Sequence, residues 1–159
     1  MSYPPKLERI VGLFENLPEI EKRDILISYA GRAAAHEPRA DEQFALEDVR
    51  KDEECTDEVG VFLALDEAGA ARFRMRLGPQ VQTLTKAMTA ILCEGLEGCQ
   101  IDEILELPSE FVPRIIGAQL VRARSQTVYY ILTRMKSACR VYRDRERASA
   151  AANQGENHE

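Results

Sequence analysis

Nothing in this sequence approaches the roughly 18 consecutive apolar residues that a membrane-crossing helix requires. Its first residues, Met1-Ser2-Tyr3-Pro4-Pro5-Lys6, hold no charged stretch followed by an apolar one, so no secretory leader is expected. Positive charge is in short supply too: 21 Lys and Arg face 27 Asp and Glu, for a net charge of −6. A general nucleic-acid binder needs a basic footprint to displace counterions, and an anionic membrane surface repels an acidic chain. Neither nucleic acid nor membrane is therefore expected as a partner, and the expected location is the cytoplasm. A glycine-rich phosphate loop, a GxSxG elbow and an HExxH helix are all missing. The two histidines, His36 and His158, fall in a loop and in the tail, and Cys93 and Cys99 do not share a common zinc spacing. No metal site and no bound cofactor are expected.

What is present suits one ordinary domain. The 159 residues are 45% hydrophobic, enough for a core, and 30% charged, enough for a solvated surface. Leu7, Ile10, Val11, Phe14 and Leu17 recur at helical spacing after Pro4-Pro5, and Leu17-Pro18 ends that helix. A second helix is expected from about Glu19 to Arg32, burying Ile20, Ile25, Leu26 and Tyr29 and forming a hairpin with the first. A short strand is expected within Phe44 to Val49. Val59 to Leu65 is rich in β-formers, and Ala71, Phe73, Met75 and Leu77 alternate with Arg72, Arg74 and Arg76, so two strands should pair across Asp66-Glu67-Ala68-Gly69. The arginine row reads either as a wet sheet face or as a docking stripe for an acidic partner.

Pro79 is expected to open a helix reaching about Glu94, with short helices at Ile101–Leu107 and Ser109–Ile116. A last helix should start near Ala123, with Val128, Ile131, Leu132, Met135, Cys139 and Tyr142 on one face. Helices, then an antiparallel sheet, then helices make a single α+β domain, the sheet covered on one face. Its expected bounds are residues 1–147, with 148–159 a disordered polar tail.

Four cysteines remain to be weighed. Cys139 lies in an apolar stripe and reads as a small core hydrophobe. Cys93 is opposite the Leu84–Met88–Ile91 stripe, and Cys99 sits in a Gly98-Cys99-Gln100 turn, so exposure is open for both. Cys55 alone occupies a polar, aperiodic stretch, Asp52-Glu53-Glu54-Cys55-Thr56-Asp57-Glu58. By position it is either an incidental loop thiol or one that exchanges with a partner, since only exposed thiols exchange. The flanking carboxylates disfavour its thiolate, which suits a group activated by a partner more than a free-standing catalyst.

The order of segments around Cys55 resembles the SufE family, sulfur acceptors for SufS-type cysteine desulfurases, from about Lys6 to Lys136. Pro5-Lys6-Leu7-Glu8-Arg9-Ile10-Val11 resembles the family's first helix, and Leu17-Pro18 with Asp24-Ile25-Leu26-Ile27-Ser28-Tyr29-Ala30 its second. Glu54-Cys55-Thr56-Asp57 stands where the family carries Gly-Cys-Gln-Ser or Glu-Cys-Gln-Thr before an apolar strand. Glu94-Gly95-Leu96-Glu97-Gly98, Glu103-Ile104-Leu105-Glu106-Leu107-Pro108, Arg124-Ser125-Gln126 and Met135-Lys136 continue the series. Asp57 replaces the family's Ser or Thr, Thr56 its Gln, and Gly60 a common aromatic.

This resemblance implies a SufE/IscU-like fold, with Cys55 as persulfide acceptor and Arg124 as possible electrostatic support for its thiolate or a surface docking residue. It implies a non-enzymatic accessory protein that stimulates a SufS-type desulfurase and delivers sulfur to an iron–sulfur assembly scaffold, as a monomer or weak dimer. Three other readings share these residues: a sulfur carrier serving another pathway, an Fe–S scaffold-like protein, and an allosteric desulfurase partner without sulfur transfer.

Overall fold

The computed structural model describes residues 3–52 and 57–156. Helix α1 (Pro5–Phe14) starts on proline, whose missing N–H is one a first turn leaves unpaired anyway. Its stripe of Leu7, Ile10, Val11 and Phe14 is buried. Helix α2 (Glu19–Ala30) follows Pro18 and faces inward with Lys22, Leu26 and Tyr29. Ile20, expected in the core, is 76% exposed instead. The buried face of α2 runs through positions 22, 26 and 29, and 20 falls on the other side of the turn. Lys22 is buried because its Nζ reaches the Arg114 carbonyl at 3.1 Å.

A 3-10 turn, Ala33–His36, leads into the sheet. Its strands β1 (Leu46–Arg50), β2 (Val59–Leu65) and β3 (Ala71–Leu77) are antiparallel in the order β1-β2-β3. Val61 is opposite Asp48 on one side and Met75 on the other. Strands alternate sides residue by residue, so Leu46, Asp48, Val59, Val61, Leu63, Phe73 and Met75 share the helix-covered face. The β2–β3 loop is held by the Asp66 carboxylate, which accepts from Ala68 N at 2.9 Å and Ala70 N at 2.8 Å. Gly69 takes φ 81° there, a value glycine adopts without Cβ strain.

Helix α3 (Thr83–Gly95) is central: Ala87 to Cys93 are all buried. It packs against α1, α2, β3 and the last helix. It begins four residues after Pro79, because Gly78-Pro79-Gln80 is tied into a turn with the chain before β2. Helix α4 (Ile101–Glu106) carries a capping box between Gln100 and Glu103. Helix α5 (Phe111–Ile116) breaks at Gly117, φ 94°, into α6 (Ala118–Ala123), a short element with no buried residue and no apolar periodicity to announce it. Helix α7 (Ser125–Glu156) lies across β1, β2, α3 and α4. It continues past Ala148, where the sequence suggests an unstructured tail. From Asp144 to Gly155 every residue is exposed, and the alanines at 148 and 150–152 are strong helix formers.

Candidate functional site

Cys55 lies outside the described residues, together with Glu53, Glu54 and Thr56. The chain on both sides of it is described, and it is held firmly. Upstream, the hold comes from α7. Arg134 is 1% exposed and sits among core side chains on the α7 face that covers the sheet. Its guanidinium donates to the Asp48 carbonyl at 2.8 Å, the Val59 carbonyl at 2.9 Å and the Tyr130 hydroxyl oxygen at 2.7 Å. It also faces the Asp48 carboxylate at 3.3 Å and that of Asp52 at 3.8 Å. Tyr130, one turn earlier on α7, donates its hydroxyl to Asp52 Oδ2 at 2.9 Å. Burial pushes the Tyr130 phenol up to about 12, and its bond to the Asp52 carboxylate adds to this. Arg50 lies 3.7 Å from the Asp48 carboxylate and 3.5 Å from that of Asp52. One arginine thus joins the middle of β1 to the first residue of β2, the two strands between which Cys55 stands in the sequence.

Downstream, Asp57 makes the anchor. Its carboxylate accepts from Gln80 N at 2.8 Å and Glu58 N at 2.7 Å. These two bonds hold its pKa below the usual carboxylate range. Gly78 N donates to the Glu58 carbonyl at 2.9 Å. Gly78 makes room for this arrangement, since a Cβ at that position would lie 2.2 Å from the Asp57 carboxyl carbon. Asp57, which departs from the family's Ser or Thr, therefore ties the chain to the turn before α3.

Arg124 caps α6 at its junction with α7, is exposed, and donates to the Gln82 side chain. It stands with Arg23 on a groove of about 530 Å³ floored by Leu26, Leu84, Ala87 and Leu120. Gln82 is two residues from Gln80, so Arg124 and Asp57 are bound to one short connection.

The three described cysteines are all buried. Desolvation raises the thiol of Cys93 well above the ordinary range, that of Cys99 to about 11 and that of Cys139 to about 12. Each is protonated at neutral pH and poorly nucleophilic. Cys99, open to exposure on sequence grounds, is buried because its turn seals the edge of β3: Ala71 N donates to the Cys99 carbonyl and Gly98 N to the Ala71 carbonyl.

On the outer sheet face, the arginine row is largely engaged within the chain. Arg74 pairs with Glu42 at 3.0 Å and Arg72 approaches the same carboxylate at 3.8 Å. Arg76 stacks on the Phe62 ring at 4.9 Å, and Phe62 also meets Phe44 edge-on at 5.2 Å. Gly60 keeps this face closed, since a Cβ there would meet Phe62 and Val49 at 2.9 Å.

Arg134 and Tyr130 were not singled out by sequence reasoning. The available sign is an arginine one turn after Ile131, at the border of the apolar stripe, with a tyrosine four residues before it.

The family model for SufE, described as an Fe-S metabolism associated domain, matches residues 8–139. None of the curated proteins searched matches the chain. Solved structures share its fold, two among them from Thermus thermophilus and Brucella abortus. One is the solution structure of a hypothetical protein from Thermus thermophilus, 23% identical, covering 89% of this chain and 98% of that one, with a TM-score of 0.68. The other is a crystal structure of a nitrogen-fixing NifU-like protein (N-terminal) from Brucella abortus, 12% identical, covering 80% of this chain and 99% of that one, with a TM-score of 0.58.

Proposed function

The chain belongs to the SufE family, and on that premise we propose that it accepts persulfide sulfur on Cys55 from a SufS-type cysteine desulfurase. The observation that carries this reading is the distribution of thiols. Cys93, Cys99 and Cys139 are buried and held protonated, whereas Cys55 lies in the polar insertion between two strands whose ends are anchored.

The chemistry is thiol exchange. The Cys55 thiolate attacks the outer sulfur of a persulfide on the desulfurase cysteine. The new S–S bond forms as the old one breaks, the desulfurase cysteine leaves as a thiolate, and the transferred sulfur keeps its proton on Cys55. No net oxidation occurs. The carboxylates near Cys55 oppose its ionisation, but Arg134 and Arg50 offset those of Asp48 and Asp52. Arg124, fixed on Gln82, supplies positive charge two residues along the chain from the Gln80 amide that holds Asp57. Sulfur then passes to an iron–sulfur assembly scaffold, and removing the persulfide speeds turnover of the desulfurase.

The test is desulfurase activity with and without this protein, using a SufS-type enzyme from the same source, followed by intact mass of the acceptor. A rate increase and a mass gain of one sulfur, both lost in Cys55→Ser, are expected. A rate increase that survives Cys55→Ser would instead assign an allosteric role, and no mass gain on the wild type would refute sulfur acceptance.

A further inference from the structure

We propose that Tyr130 and Arg134 are positioning residues for the sulfur-accepting segment, fixing its upstream end so that Cys55 is presented on a short tether. This rests on the reading of Cys55 as the acceptor thiol.

Arg134 is a poor choice for stability alone. Taking a guanidinium out of water is costly, and a buried ion pair replaced as a whole by apolar side chains of similar volume is commonly as stable or more so. What the arginine adds is the identity of its partners. Apart from Tyr130, its polar partners among the described residues are Asp48 in β1, Val59 at the start of β2 and, just beyond β1, the Asp52 carboxylate. Tyr130 extends its reach to Asp52, the last described residue before the segment. The downstream end is fixed separately by Asp57 on Gln80 and by Glu58 on Gly78.

With anchors at positions 52 and 57, Cys55 is three residues from one and two from the other. Each anchored residue is one fewer to be ordered when the segment docks on a partner. If the Asp52 anchor is released, the next fixed point upstream is Arg50, paired with Val59 in the sheet, and the tether gains two residues.

Tyr130→Phe isolates this role. It keeps the ring and leaves Arg134 its bonds to the Asp48 and Val59 carbonyls, but removes the hydroxyl that holds Asp52. In the desulfurase assay the variant is expected to raise the KM for this protein about fivefold, with the maximal rate unchanged within about twofold. Amide hydrogen exchange across residues 51–58 is expected to quicken while β2 and β3 keep their protection. Asp52→Ala, which also removes the contacts with Arg50 and Arg134, should do at least as much, and the double variant should be no worse than Asp52→Ala alone.

An unchanged KM, or an equal loss of maximal rate with looser β2 and β3 amides, would overturn the proposal in favour of a general structural role. Should the wild type take no sulfur on Cys55, the functional reading falls separately. The exchange experiment then decides the clamp alone: selective loosening of 51–58 sustains it and no selective loosening overturns it.

Discussion

Replacing Arg134 with methionine removes a 1%-exposed cation while roughly keeping its volume. The variant leaves the Asp48 and Val59 carbonyls without this donor at the sheet's helix-covered face. A buried acceptor stripped of its partner costs about 1–3 kcal/mol. The Asp48 carboxylate is 30% exposed, so water recovers part of what the lost ion pair supplied, and that share is discounted. Methionine restores some apolar packing. The sum is a destabilisation of about 3–5 kcal/mol, within the range for breaking one side of a buried ion pair. For a chain of 159 residues this lowers Tm by about 10 °C. Thermal and urea unfolding followed by circular dichroism measure it directly. Arg134→Lys should recover little, because one ammonium cannot match a planar fork that serves two carbonyls and a hydroxyl. A methionine variant within about 1 kcal/mol of the wild type would show that the hydrogen bonds of Arg134 do not hold the strand ends together.

Two further outcomes follow from the same geometry. A small aromatic disulfide reagent should react slowly with Cys93, Cys99 and Cys139 in the native protein and reach all four thiols in denaturant; fast reaction of any of these three in the native protein would contradict their burial. Gly78→Ala should push the Asp57 carboxylate out of its site, because the new methyl would lie 2.2 Å from its carboxyl carbon. The pKa of Asp57 is depressed by its two amide bonds, so those bonds persist above the ordinary carboxylate range and are lost as pH falls through the lower native value. In Gly78→Ala that transition should move up toward the ordinary carboxylate range, read by NMR titration, with faster exchange at the Gln80 amide. An unmoved titration would show that the anchor does not need the glycine.

The sequence made the architecture readable where one side chain per turn or per pleat declares its face. The stripe Leu7, Ile10, Val11, Phe14 and the alternation Ala71, Phe73, Met75, Leu77 became α1 and β3. The helix from Ser125 and the burial of Cys139 were legible for the same reason. Ile20 misled because α2 buries a lysine, an unusual core residue that hides the true face of the helix. Pro79 misled because a long-range bond, Gln80 N to the Asp57 carboxylate, uses up the turn that would otherwise begin α3. The upstream half of the site was hidden for a similar reason. Asp48 and Asp52 lie far along the chain from Tyr130 and Arg134, and only the packing of α7 on β1 and β2 brings them together.

The placement of Asp48 also bears on how the sheet assembles. β1 is an open edge, five residues long, with no strand beyond it among the described residues. Strands slide most easily where nothing penalises a shifted pairing. A slip of one residue would turn Asp48 to the outer face, bring Glu47 and Val49 beneath α7, and break the contact of Arg134 with the Asp48 carboxylate. The bonds of Arg134 to β1 and β2 thus favour the observed register over a slipped one.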